Sequence, residues 1–142
     1  MSKKRDAYIQ HLSSVPMFGA CTNKELIQVA KHTTDLTIRA GKVLITEGTK
    51  GREFFVIIDG KATVSRKKKN IATLGPSDYF GELALLDGAE RNATVTAETE
   101  MEVVVLEQRE FLGLLADVPS LARKLLIGMA QRLRAADAGR VQ

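Results

Sequence analysis

The spacing of apolar residues changes twice along the chain, and the changes divide it into three regions. Between Lys3 and Ser13, Ala7, Tyr8, Ile9 and Leu12 recur at roughly helical spacing and predict a short helix. Pro16-Met17-Phe18 breaks it. Thr22-Asn23-Lys24-Glu25 then forms a capping box, in which the Thr22 hydroxyl and the Glu25 carboxylate each satisfy a free helix donor. The second helix continues through Leu26, Ile27, Val29 and Ala30 and ends near His32. From Thr33 the pattern shortens to β-type runs at Leu36 and Ile38, then 43–45, 54–58, 62–65, 71–74, 93–97 and 103–106. Ala40-Gly41, Glu47-Gly48, Asp59-Gly60 and Gly75-Pro76 interrupt them, and Asp59-Gly60 between two apolar runs predicts a β-hairpin. About eight short strands at this spacing predict an antiparallel sandwich or barrel.

Helical spacing returns after Leu106, over 109–116 and again from Pro119-Ser120 to about Ala136, with proline well placed at a helix start. In the longer helix Leu121, Ala122, Leu125, Leu126, Met129, Ala130 and Leu133 make one broad apolar stripe, with Arg132 on its margin. Core and dimer face are both open as uses for that stripe.

Length and composition narrow the class. A chain of 142 residues with 44% hydrophobic and 27% charged content describes one globular domain, 1–142: helical over 1–32, strands over 33–107, helices over 109–136. No run approaches the ~18 apolar residues of a membrane helix, and Met1 to Asp6 lacks a signal peptide's apolar core. Cys21 stands alone, so neither an intramolecular disulfide nor a cysteine zinc cluster is available. The expectation is a cytoplasmic protein with no membrane span. The net charge of +4 suits an anionic ligand without indicating nucleic acid. Arg66-Lys67-Lys68-Lys69-Asn70 reads either as a nucleic-acid or acidic-surface contact or as a solvated hairpin tip; with no interleaved aromatic residues for stacking, the tip is favoured.

Candidate chemistry gathers at 80–95. Gly81 permits close approach of backbone or ligand. Glu82 opens an apolar run to Leu86 that can wind as one or two helical turns, leaving N–H groups that attract an anion. Asp87-Gly88 reverses the chain, and Arg91 arrives just before a strand. Donors and a guanidinium suit a cyclic phosphate, and a carboxylate suits a ribose hydroxyl. The competing reading is a Glu82–Arg91 ion pair that ties a loop. Catalysis finds little support: His11 and His32 both lie in the helical start, no strand supplies a histidine, and Asp87 is the only acidic residue between Glu82 and Glu90. No catalytic residue and no metal ligand is assigned.

Gly81-Glu82-Leu83-Ala84-Leu85, followed after a gap by Arg91-Asn92-Ala93-Thr94-Val95, closely resembles the phosphate-binding cassette of cyclic-nucleotide-binding domains. That family includes the bacterial catabolite activator protein and the regulatory subunits of cAMP-dependent protein kinase. Gly41 to Gly48 and Phe54 to Val64 resemble its Gly-x-x-Ile-x-x-Glu-Gly and aromatic-x-Ile-x-x-Gly-x-Val patterns, so the resemblance spans residues 15 to 135 or thereabouts. It implies a mainly β fold, an antiparallel β-roll (jelly roll) with N-terminal helices and a C-terminal lid helix. It also implies roles. Glu82 takes the ribose 2′-OH, Arg91 an exocyclic phosphate oxygen, and the backbone at Leu83, Ala84, Asn92 and Ala93 completes the cradle. Val64 and Leu74 either line the pocket or are plain core. Met129, Arg132 and Leu133 are the candidates for lid contacts over the base. Asn92 departs from the family's Ala, Ser or Thr, and Glu90 stands where kinase-type members place Pro. The implied ligand is cAMP in preference to cGMP, with no cofactor. No DNA-binding reader follows the last helix, so the expectation is a sensor acting through a homodimer or an effector protein, or one piece of a larger protein. The alternative is an interaction scaffold of the same fold that has lost the nucleotide.

Overall fold

The structure, a computed structural model, describes residues 3–141, with side chains described over 7–137. The chain divides into two compact units, one of residues 30–112 and one formed by the segments up to Val29 and from Gly113.

The first unit is β. Strands β1 (Thr34–Ile38), β2 (Val43–Ile45), β3 (Glu53–Asp59), β4 (Ala62–Arg66), β5 (Lys69–Leu74), β6 (Tyr79–Phe80), β7 (Thr94–Ala97) and β8 (Met101–Glu107) form two four-stranded sheets. One has the order β1-β8-β3-β6 and the other β2-β7-β4-β5, and the pairings are antiparallel throughout. The sheets share a core: Phe55, Ile57, Val103 and Val105 from the first meet Ala62, Val95 and Ala97 from the second. Burying each large apolar side chain contributes about 1.5–3 kcal/mol. The outward residues of the central strands are buried as well, Phe54 and Val56 on β3 and Val104 and Leu106 on β8. The Phe54 ring lies 4.7 Å from that of Phe111, on the helix α4 (Gln108–Asp117), and 5.7 Å from that of Tyr79. Cover on both faces is why these two strands read as continuous apolar runs rather than alternating ones. The fold is the expected β-roll.

One expectation is corrected. Asp59-Gly60 does not close a hairpin, because β3 and β4 lie in different sheets. The turn hands the chain from one sheet to the other, and Gly60 takes φ 92 there. A Cβ at Gly60 would collide with the Glu100 carbonyl and sit 2.9 Å from Met101 Cα, so the position needs glycine for conformation and for room. The two-residue hairpin joins β4 to β5 at Lys67 and Lys68, at φ 52 and 66. Two left-handed residues are what a type I′ turn demands. The basic stretch is therefore an exposed hairpin tip. Strand β6 was not anticipated; at two residues it is too short to show a period.

The second unit is helical. It contains α1 (Lys3–Ser13), a 3-10 turn (Pro16–Phe18), the start of α2 (Asn23–Lys31), the end of α4 and the long α5 (Pro119–Val141). The capping box forms as expected: the Thr22 N–H donates to Glu25 Oε1 at 2.8 Å, and the Glu25 N–H donates to Thr22 Oγ1 at 3.1 Å. Helix α5 packs against the 3-10 turn and runs past the expected end near Ala136. Its stripe is covered only in the first half: Leu121 and Leu125 are buried, whereas Leu126 and Leu133 are 66% and 64% exposed. Cys21 Sγ lies 3.5 Å from Ser120 Oγ. Burial pushes that thiol's pKa up; the hydrogen bond shared with Ser120 opposes the rise and the Glu25 carboxylate adds to it. Among the described residues no helix is long and apolar enough to cross a membrane.

Candidate functional site

The site is built at the crossing from β6 into helix α3 (Glu82–Asp87) and back into β7. Gly81 caps α3 at φ 97. A Cβ there would lie 2.7 Å from the Glu53 carbonyl oxygen and 2.9 Å from Arg91 Nη1, so the close approach read from its missing side chain is made by protein atoms. Within α3, Glu82, Ala84 and Leu85 are buried while Leu83 and Leu86 are exposed. The helix ends where the Gly88 N–H returns to the Ala84 carbonyl at 3.1 Å, and the Ala89 N–H takes Asp87 Oδ1 at 2.9 Å.

Arg91 is only 5% exposed. Its Nη1 donates to the Gly81 carbonyl at 2.8 Å and its Nη2 to the Glu53 carbonyl at 2.7 Å. The backbone is held too: the Arg91 N–H donates to Thr49 O at 2.7 Å, and the Gly48 N–H donates to Arg91 O at 2.9 Å. Gly51 also packs against the guanidinium: a Cβ there would fall 2.5 Å from Arg91 Cζ and 2.8 Å from Ala84 Cβ. The guanidinium is thus wedged between Gly51 and Gly81 with α3 beside it. Burial pushes its pKa down, and the Glu53 and Glu82 carboxylates pull it back up. A guanidinium starts so far above neutrality that it stays charged. Two of its five donors serve the carbonyls, which leaves others to meet an anion. Gly51, Glu53 and Ala84 also line a cleft of about 620 Å³, to which Lys50, Arg52 and Arg109 add positive charge and Glu107, like Glu53, a carboxylate.

Residues 36–118 match the family model described as the cyclic nucleotide-binding domain. The chain belongs to that family. It is 36% identical over 118 residues to a cAMP-dependent protein kinase regulatory subunit of Yarrowia lipolytica, covering 82% of this chain and 32% of that protein. The chain thus spans about a third of that relative's length. Among solved structures, Sp-2Cl-cAMPS bound to PKAR CBD2 is similar at a TM-score of 0.78 and 33% identity, over 95% of this chain and 92% of the other. The catabolite activator protein of Thermus thermophilus is similar at a TM-score of 0.80 and 29% identity, over 87% and 61%. The matching family is a binding module, and the curated relatives are regulatory subunits rather than catalytic ones.

The other expected site residues of the cyclic nucleotide-binding domain come from several elements. Ala93 is buried just ahead of β7, and Asn92 is exposed, its carbonyl accepting from Arg66 Nε at 2.9 Å. Val64 and Leu74 are half-buried against the shared core, beside Leu44 and Ile45. On α5, Met129 is half-buried while Arg132 and Leu133 are exposed. Glu90 is exposed where its neighbour Arg91 is buried, as an extended segment requires. Gly51 and the Glu53 carbonyl were missed by sequence reasoning. The only available signal was a glycine in Lys50-Gly51-Arg52 with no turn to explain it.

Proposed function

We propose that this domain is a cyclic nucleotide sensor that takes cAMP in preference to cGMP and acts in the cytoplasm through a homodimer or an effector protein. The observation that carries the reading is the buried, still-charged Arg91 guanidinium wedged between two glycines at the start of α3, with the buried Glu82 carboxylate acting on it. Arg91 meets the phosphate with the donors its carbonyl partners leave over. Glu82 accepts from the ribose 2′-OH, a bond strengthened by the carboxylate's charge. The N–H groups of Leu83, Ala84, Asn92 and Ala93 complete the cradle, and Val64 and Leu74 line the roll beside the sugar and base. Two relationships support the choice of ligand: one relative is the regulatory subunit of a cAMP-dependent protein kinase, and one similar solved chain has Sp-2Cl-cAMPS bound. Met129, Arg132 and Leu133 of α5 are the proposed lid contacts. The nucleotide biases two arrangements of the C-terminal helices, and it can do so only by its difference in affinity for them.

Calorimetric titration tests the site. A hydrogen bond to a charged group is worth about 1.5–3 kcal/mol and ~1.4 kcal/mol is tenfold; because Arg91→Ala also leaves the phosphate buried without its counter-charge, it should weaken cAMP about a hundredfold or more. Unchanged affinity would defeat the assignment. Thermal melting with millimolar cAMP or cGMP ranks the ligands, since a ligand that binds only the native state raises the midpoint. No rise with either nucleotide favours the scaffold reading.

A further inference from the structure

Arg66 closes β4 and is exposed at the foot of the two-lysine turn, yet its Nε–H donates to the Asn92 carbonyl at 2.9 Å. Two further bonds lace the same corner. The Lys67 N–H donates to Glu47 Oε1 at 2.9 Å, and the Glu47 N–H donates to Thr94 Oγ1 at 2.9 Å. The β4–β7 ladder runs as far as Ser65 opposite Thr94, so Arg66 is the next residue beyond it, beside the chain that leaves α3. The tight turn at Lys67 and Lys68 pairs Arg66 with Lys69 across β5 and holds it at that post.

The peptide between Asn92 and Ala93 is trans, and a trans peptide carries its carbonyl and its N–H on opposite sides of one rigid plane. Whatever fixes the Asn92 carbonyl therefore fixes the direction of the Ala93 N–H. We infer that Arg66 is a positioning residue for the nucleotide cradle, aiming the Ala93 N–H by holding the opposite edge of its peptide plane; this rests on the cyclic nucleotide reading above. Arginine suits the task because Nε–H is a fixed donor close to the backbone end of the fork. Lysine has a methylene at that place and keeps only the charge. The basic tip thus contributes one group to the site and leaves the rest in solvent.

The test uses the 142-residue chain as wild type, Arg66→Lys and Arg66→Gln, with calorimetric titration of cAMP and the amide NMR signal of Ala93. Losing one partly exposed charge-assisted bond should weaken cAMP about three- to tenfold in both variants. Both should also shrink the cAMP-induced shift of the Ala93 amide proton, while hydrogen exchange in β3 and β8 stays at the wild-type level. Wild-type affinity in Arg66→Gln overturns the inference, and so does full affinity in Arg66→Lys, which would mean that charge alone suffices. Should Arg66→Gln lose its fold, Glu47→Ala loosens the same corner without touching Arg66; it must weaken cAMP too, and an unchanged affinity there is equally fatal. A wild type that binds neither cAMP nor cGMP removes the function reading and this inference with it. A wild type that binds while its variants match it removes the positioning role alone.

Discussion

Gly51→Ala adds one methyl group to the wall behind the arginine. The new carbon would stand 2.5 Å from Arg91 Cζ, 2.6 Å from Nε and 2.8 Å from Ala84 Cβ, where ordinary carbon contacts need about 3.5–4.0 Å. An arginine tip usually swings aside at little cost. This one is buried and held by carbonyls at 2.8 and 2.7 Å, and the Ala84 methyl group is fixed to α3. The guanidinium must retreat by roughly an ångström, enough to stretch both bonds beyond useful hydrogen-bond length. Displacing a group that makes a charged bond of about 1.5–3 kcal/mol should weaken cAMP about ten- to a hundredfold. Overpacking adds about 1–3 kcal/mol of lost stability, a fall of several degrees in melting temperature. Calorimetry and thermal unfolding should be run beside Gly75→Ala, where the added methyl group meets nothing within 4 Å. If the two variants behave alike in both assays, the wedge is wrong.

Three further substitutions probe the frame. Gly60→Ala combines a left-handed backbone with a collision at Glu100 and Met101, and should cost more than about 2 kcal/mol in urea unfolding; a wild-type midpoint would contradict the packing of that turn. Thr22→Ala removes half of the capping box and should cost about 1 kcal/mol with cAMP affinity unchanged. A loss of affinity would tie the N-terminal helices to the site. Gly113→Ala, in the middle of α4 with open space around it, should raise stability by about 0.5–1 kcal/mol, and any loss would mean that the glycine serves some contact.

The elements whose signals are local were readable from sequence. The capping box needs only its own four residues, and both of its hydrogen bonds form. The strand runs needed only their spacing, and the ordered motifs around Glu82 and Arg91 carried the family. What depended on distant partners was not readable. Asp59-Gly60 announces a turn, but the residues that choose β6 and β8 over β4 as neighbours of β3 lie elsewhere in the chain. Gly51 is small because of a guanidinium brought from Arg91, and nothing near it in sequence says so. The α5 stripe was legible as a pattern, but a pattern does not say how far cover extends, and here full burial stops after Leu125.

An arginine side chain loses up to about 2 kcal/mol of rotamer freedom when it is ordered. Here that loss belongs to folding, because Arg91 is already clamped by main-chain oxygens from β3 and from the cap of α3. On the proposed reading the anion would meet a stationary hand, and its capture would require no search by the arginine itself. On that same reading the sugar and the base would still have to settle on arrival, so selectivity between one purine and another would be decided there and not at the phosphate.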